Sequence, residues 1–315
     1  MKILNYAPIL IPTLNRYEHF RRCVESLSRC AHADKTELVI GLDYPPSEKY
    51  IEGWEKICNY VSTISGFAQV TILKREYNYG VHKNIDDIKE YASKKYDRFI
   101  MSEDDNEFSP NFLDYINKGL EIYKDNPNIY AICGYNYPID MSGYEFEYYF
   151  SHEFAGWGYG GWFEKQEKVY KIIQNPQYPI DLYKKYPLGL YFKSNLKLMS
   201  LATRVGDGFL GDVYLTSYLH SRNIYTVFPK VSKVRNWGHD GTGINCGAME
   251  KRLEVLYTKQ SIDKETEFDF SEDLTIGINK FVNRKVQAFM KPPFKMIIRR
   301  LLSFVLIGLY AKILK

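Results

Sequence analysis

The chain has 315 residues, 45% of them hydrophobic and 25% charged, a balance that supports a large buried core and excludes a disordered polymer. Its formal charge of +4 is unevenly placed, because residues 291–315 carry Lys291, Lys295, Arg299, Arg300, Lys312 and Lys315 and no acid. The remainder is slightly acidic, which excludes general nucleic-acid binding, since that needs a basic face to neutralise phosphates.

From the N-terminus, Ala7–Ile11, Glu37–Leu42, Val70–Leu73 and Arg98–Met101 are short β-rich runs and read as strands. Between them Tyr17–Arg29, Ser47–Val61 and Val81–Lys94 place apolar residues at helical spacing. Strands alternating with helices predict an α/β class with a mainly parallel sheet. Ligands of such sheets bind beyond the carboxyl ends of the strands, which singles out Thr13, Asp43, Arg75 and Glu103 to Asp105. No GxGxxG and no GxxxxGK[ST] follows the first strand, so a phosphate must be held by other means.

After the fourth strand three carboxylates arrive in succession, Glu103, Asp104 and Asp105. Their mutual repulsion calls for a cation, and hard oxygen ligands suit Mg²⁺ or Mn²⁺, which could bridge to a diphosphate. The same run also reads as a solvated loop before a helix over Asn111–Tyr123, opened by Ser109-Pro110. Gly134–Pro187 is rich in Tyr, Trp and Gly and reads as a loop-rich acceptor-binding insertion. Five cysteines show no CxxC pair and no zinc spacing, and no signal peptide precedes the first strand, so a cytoplasmic protein is expected.

Ala7-Pro8-Ile9-Leu10-Ile11-Pro12-Thr13-Leu14-Asn15-Arg16 resembles the opening strand and nucleotide loop of GT-A glycosyltransferases, and Phe99 to Asp105 resembles their DXD region. Glu-Asp-Asp followed by Ser109-Pro110-Asn111-Phe112 is similar to the form in the Golgi N-acetylglucosaminyltransferase I family and in bacterial family-two-like sugar transferases of surface-polysaccharide clusters. Ile132 to Pro138, Gly156 to Trp162 and Asn236 to Gly243 extend the resemblance in order along the chain. It implies a GT-A (Rossmann-like) mixed, mainly parallel sheet flanked by helices, with a C-terminal helical tail. It also implies an inverting, metal-dependent transferase that moves a hexosyl or N-acetylhexosaminyl group from a UDP-sugar to a glycan or lipid-linked acceptor.

Carried onto these residues, the resemblance implies that Pro12 and Thr13 line the base and ribose pocket, joined by Asp43 and by Asn78 and Lys83 of the Asn78-Tyr79-Gly80 segment. Glu103 and Asp104 would serve the ribose or the loop, and Asp105 would hold Mn²⁺ or Mg²⁺. His239 is a second candidate for the metal or the diphosphate. Trp157 and Trp162 would contact acceptor or sugar, and Asp212, ahead of the helical pattern Val213 to Leu219, would be the general base. Each has a plainer alternative: Asp43 as a turn former, the tryptophans as core, His239 as a structural histidine and Asp212 as a helix cap.

The expected division is a catalytic domain over 1–250, with a nucleotide-sugar half to about 130 and an acceptor half over 131–250, followed by a helical extension over 251–315. In the tail Leu301–Ala311 is apolar but too short to span a bilayer, so peripheral attachment to the cytoplasmic leaflet is expected. Two other functions fit parts of the pattern. A nucleotidyltransferase shares the acidic loop but carries glycines in the loop after the first strand, where Pro12 to Arg16 has none. A carbohydrate-binding protein without turnover shares the whole pattern.

Overall fold

A computed structural model of the chain describes residues 6–185, 211–242, 259–271 and 274–290, with 298 and 302 standing singly. Four parallel strands open it: β1 (Ile9–Thr13), β2 (Glu37–Leu42), β3 (Gln69–Lys74) and β4 (Arg98–Met101). The helices between them are α1 (Tyr17–Ser28), α2 (Ile51–Val61) and α3 (Gly80–Ser93). In α1, Phe20, Cys23, Val24 and Leu27 are buried, so the helix lays one stripe on the sheet. Every residue of β2 is buried, as expected of a parallel strand covered on both faces.

The second half adds β5 (Asn106–Phe108), α4 (Phe112–Ile122), β6 (Ile129–Cys133), β7 (Tyr148–Ser151), β8 (Tyr159–Trp162), α5 (Phe163–Ile173) and α6 (Tyr178–Lys185). It ends with α7 (Gly211–Arg222), β9 (Tyr225–Pro229), β10 (Val234–Asn236) and α8 (Lys280–Met290). The main sheet has the order β3-β2-β1-β4-β8-β6-β9-β7, and β5 pairs with β10 in a separate ribbon. In the main sheet β8 and β7 run antiparallel to their neighbours, and the other contacts are parallel. This is the mixed, mainly parallel α/β sheet expected from the sequence.

One expectation is corrected. Residues 134–185 are not loop throughout: they supply β7, β8, α5 and α6, and β8 lies in the middle of the sheet between β4 and β6. The glycines that suggested a loop are there for close packing. A Cβ on Gly160 would lie 2.5 Å from Ile116 of α4, and one on Gly161 would lie 2.5 Å from Gln166 of α5. Glycine lets both helices press onto this strand at the cost of its own β propensity.

In the expected helical extension, residues 259–271 and 274–279 carry no helix, and α8 is helical. The first of these segments straps the body. Asp263 pairs with Lys233, Phe268 N–H donates to Asp114 Oδ2 at 2.7 Å, and the Phe268 ring sits edge-on to Tyr115 at 4.8 Å.

Candidate active site

β1 to β4 point the same way, so Thr13, Leu42, Lys74 and Met101 end on one edge of the sheet. The chain steps from β1 outward through β2 to β3 and then returns to β4 on the other side of β1. The reversal opens a crevice between the ends of β1 and β4, where ligands of this architecture bind. The Thr13 hydroxyl crosses it, donating to Asp104 Oδ2 at 2.9 Å.

Arg16, in the loop between β1 and α1, forks onto two acids. One guanidinium nitrogen bonds Asp104 Oδ1, and the other stands 2.9 Å from Asp105 Oδ2. Asp105 Oδ1 accepts from Asn236 Nδ2 at 2.8 Å. Each oxygen of these two buried carboxylates therefore faces a donor from the chain. Burial, the main influence, and the neighbouring Asp105 push the Asp104 carboxyl above its ordinary value, while Arg16 and Thr13 oppose them. Burial also works against the Arg16 charge, but Asp104 and then Asp105 outweigh it and hold the guanidinium protonated.

The ribbon of β5 and β10 brings the distant loop to the acids, with Asn236 opposite Asn106. Trp237 N–H donates to the Asp105 carbonyl at 2.9 Å, and its Nε1–H donates to Glu107 Oε2 at 2.8 Å. Gly238 N–H donates to Asn236 Oδ1 at 2.9 Å, closing a tight turn. His239 follows, buried, with its ring centroid 5.3 Å from that of Trp157, which in turn packs edge-on to Tyr135. His19 of α1 meets Asp240 at 2.9 Å; burial opposes the Asp240 charge, but bonds from Thr242 and His19 bring its pKa down to about 2.

The structure thus joins Thr13, Asp104, Asp105, His239 and Trp157 in one neighbourhood. Pro12 is half-buried beside Thr13, and Glu103 is exposed at the rim. Asp43 lies at the end of β2, but its carboxylate accepts from the chain itself: Tyr44 N–H at 2.9 Å, Tyr79 N–H at 2.8 Å, Gly80 N–H at 2.9 Å and Asn78 Nδ2 at 3.2 Å. It holds the start of α3. Asn78 also donates to the Tyr44 carbonyl at 2.6 Å, and Lys83 lies over the Tyr79 ring at 4.0 Å and donates to the Tyr77 hydroxyl at 3.0 Å.

Trp162 stands apart. The β4–β8 register pairs it with Arg98, at the opposite end of β4 from the acidic run, and Lys165 covers its ring at 3.7 Å. Trp162 is buried in the core at the end of β8, away from Trp157 and the acidic run. Asp212 opens α7 as expected, and its side chain lies outside the described residues, as does Asp207. Sequence reasoning assigned no role to Arg16 or Asn236, although both stand in the quoted motifs; a lone cation after β1 facing three acids was the available signal for Arg16.

Among the described residues no three His, Cys, Asp or Glu side chains form a preformed metal cage. The donor set fits a different mode of binding, in which a hard ion takes one or two carboxylates and completes its shell with phosphate oxygens and water. Against one guanidinium stand the three acids Glu103, Asp104 and Asp105, so the site keeps an excess of negative charge for such an ion.

No family model and no curated protein matches the chain. Solved structures similar to parts of it include the mannosyltransferase PcManGT from Pyrobaculum calidifontis in complex with GDP-Man and Mn²⁺, at 11% identity over 52% of this chain and 46% of that one, with a TM-score of 0.35. S. aureus TarS is 14% identical over 40% of this chain and 34% of the TarS chain, with a TM-score of 0.29. GalNAc-T7 with UDP, GalNAc and Mn²⁺ is 14% identical over 75% of this chain and 44% of that one, with a TM-score of 0.43. The chain spans less than half the length of each of these proteins, and the likenesses are partial.

Proposed function

We propose that the chain is a glycosyltransferase that takes a sugar from a nucleotide-sugar donor, a UDP-sugar, in the presence of Mn²⁺ or Mg²⁺. The carrying observation is the convergence of Thr13, Arg16, Asp104 and Asp105 with the Asn236 to His239 turn at the reversal point of the sheet. Pro12, Thr13, Asp43, Asn78, Lys83, Glu103 and Asp104 would surround the nucleotide, with Asp105 holding the ion and His239 beside it. When bound, the ion offsets charge on the leaving diphosphate. Asp212 would take the proton of an acceptor hydroxyl as that oxygen attacks the anomeric carbon and the diphosphate leaves with the bonding electrons, inverting the centre. Trp157 would present an aromatic face to the acceptor.

The acceptor is proposed to be a glycan or a lipid-linked sugar of surface-polysaccharide synthesis, with the basic tail lying on the cytoplasmic leaflet. Support for the tail comes from its six cations without an acid, and from Ile298 and Leu302, four residues apart and both exposed. Among the described residues no helix is long and apolar enough to cross a membrane. A chain ending before Lys291 that partitioned onto anionic liposomes as fully as the whole chain would remove this assignment.

The enzyme assignment is tested by UDP release from a panel of UDP-sugars with Mn²⁺. Asp105→Ala should lose cation-dependent donor binding and about 100-fold or more in kcat/KM while remaining folded. No release from any UDP-sugar of the panel would end the UDP-sugar transferase reading, and full activity in excess chelator would end the metal assignment alone.

A further inference from the structure

We propose that Arg16 is an internal counterion that competes with the divalent cation for Asp105, so that the cation enters with the diphosphate and binds only weakly before it. The inference rests on the donor-site reading above and concerns the order in which the site assembles.

The oxygens of the two buried acids are all engaged. Asp104 Oδ1 takes Arg16 and Oδ2 takes Thr13, while Asp105 Oδ1 takes Asn236 and Oδ2 faces Arg16. Two of the partners are fixed by strands: Thr13 ends β1 and Asn236 ends β10, locked against Asn106. Arg16 differs. It lies in a loop outside both strands, its side chain is 20% exposed, and its long stem allows it to swing. It is therefore the partner that can yield.

A bare divalent ion approaching Asp105 meets the guanidinium on Oδ2, and the two cations repel. Removing Arg16 from Asp105 without another anion to receive it breaks a close ion pair in a buried place and leaves a buried charge uncompensated. A diphosphate changes this balance, because its oxygens match the planar fork of arginine. Arg16 can then pass from Asp105 to phosphate while the ion takes the vacated oxygen. Cation and nucleotide affinities are thereby coupled, each raising the other by the same factor. Before the donor arrives, Arg16 also keeps the acids from repelling each other apart, so the site needs no resident ion to stay folded.

The test measures Mn²⁺ affinity of the full chain by isothermal titration calorimetry, with and without UDP. Wild type should bind Mn²⁺ weakly alone and at least tenfold more tightly with UDP. Arg16→Gln should bind Mn²⁺ alone about tenfold more tightly than wild type, because no guanidinium has to be displaced from Asp105. Its UDP–Mn²⁺ coupling should shrink. Arg16→Lys, which can pair with one acid but not fork onto both, should fall between them, and it alone is read if Arg16→Gln has no cooperative thermal melt.

A folded Arg16→Gln with Mn²⁺ affinity equal to or weaker than wild type would overturn the counterion role, as would an Arg16→Lys equal to wild type. If either result came with Mn²⁺-dependent UDP binding intact, the donor-site reading would stand without it. UDP binding indifferent to Mn²⁺ in wild type and in both variants would overturn the metal assignment and the counterion together.

Discussion

A Cβ built on Gly238 would stand 2.1 Å from Asp105 Oδ2, so the absence of a side chain at one residue sets how closely the turn after β10 can approach the acidic run. Gly238→Ala must push the carboxylate, the turn or both away. The expected cost is about 1–3 kcal/mol in stability from overpacking. UDP affinity in the presence of Mn²⁺ should fall at least tenfold, read by calorimetry beside a thermal melt. Wild-type affinity in Gly238→Ala would show that the turn is not part of the donor site.

Asp212 is the second residue of α7, in the first turn, where an aspartate stabilises a helix by about 0.3–1 kcal/mol and where a general base would also be presented. The two roles separate in Asp212→Asn. As base, its loss should cut kcat by about 10²–10⁴-fold with UDP and Mn²⁺ binding nearly unchanged. As cap, it should lower the melting temperature and leave turnover per folded molecule alone. Transfer within tenfold of wild type would move suspicion to Asp207.

Lys233 is almost wholly buried, and its partner is Asp263 of the strap. Burial pulls the ammonium below its ordinary pKa, and Asp263 opposes that shift. Asp263→Ala strands the charge and should cost about 3–5 kcal/mol in urea unfolding. Adding Lys233→Met should recover much of the loss, since a paired ion removed whole costs less than one partner alone. Asp263→Ala at wild-type stability would mean that the strap is not held by this pair.

His152 packs between His220 and Tyr225 and donates from Nδ1 to the Ile224 carbonyl at 2.8 Å. Burial, helped by His220, lowers its pKa to about 4, against the opposing pulls of that carbonyl and Glu153. The unfolded chain therefore binds a proton that the folded chain refuses as pH falls from about 6.5 toward 4, so acid removes stability over that window. With partial exposure discounted, about 1–2 kcal/mol should be lost between pH 7 and pH 5. His152→Gln, which keeps a donor for Ile224, should flatten that slope in urea titrations at the two pH values. An unchanged slope would place the acid sensitivity elsewhere.

Alternating strands and helices were legible from residue 7 to residue 101 because each helix and strand there has its own period and its own punctuation, so the half-sheet and the location of Thr13, Asp104 and Asp105 follow from local pattern. The acidic run could be marked as a site for the same reason: three acids after an apolar strand are costly wherever they fold. Beyond residue 133 the local pattern misleads. Gly160 and Gly161 look like loop and form a central strand, because what places them is the close approach of α4 and α5, which no neighbouring residue encodes. Trp157 and Trp162 are alike in sequence context, yet Trp157 packs against His239 while strand register sets Trp162 opposite Arg98. The contacts that define the site, the bonds of Thr13 and Arg16 to Asp104 and of Asn236 to Asp105 with the ion pair of Arg16 and Asp105, join residues 88 to 131 positions apart in the chain. Such pairings are selected by sheet order and by burial of charge, and those become definite only when the chain has closed on itself.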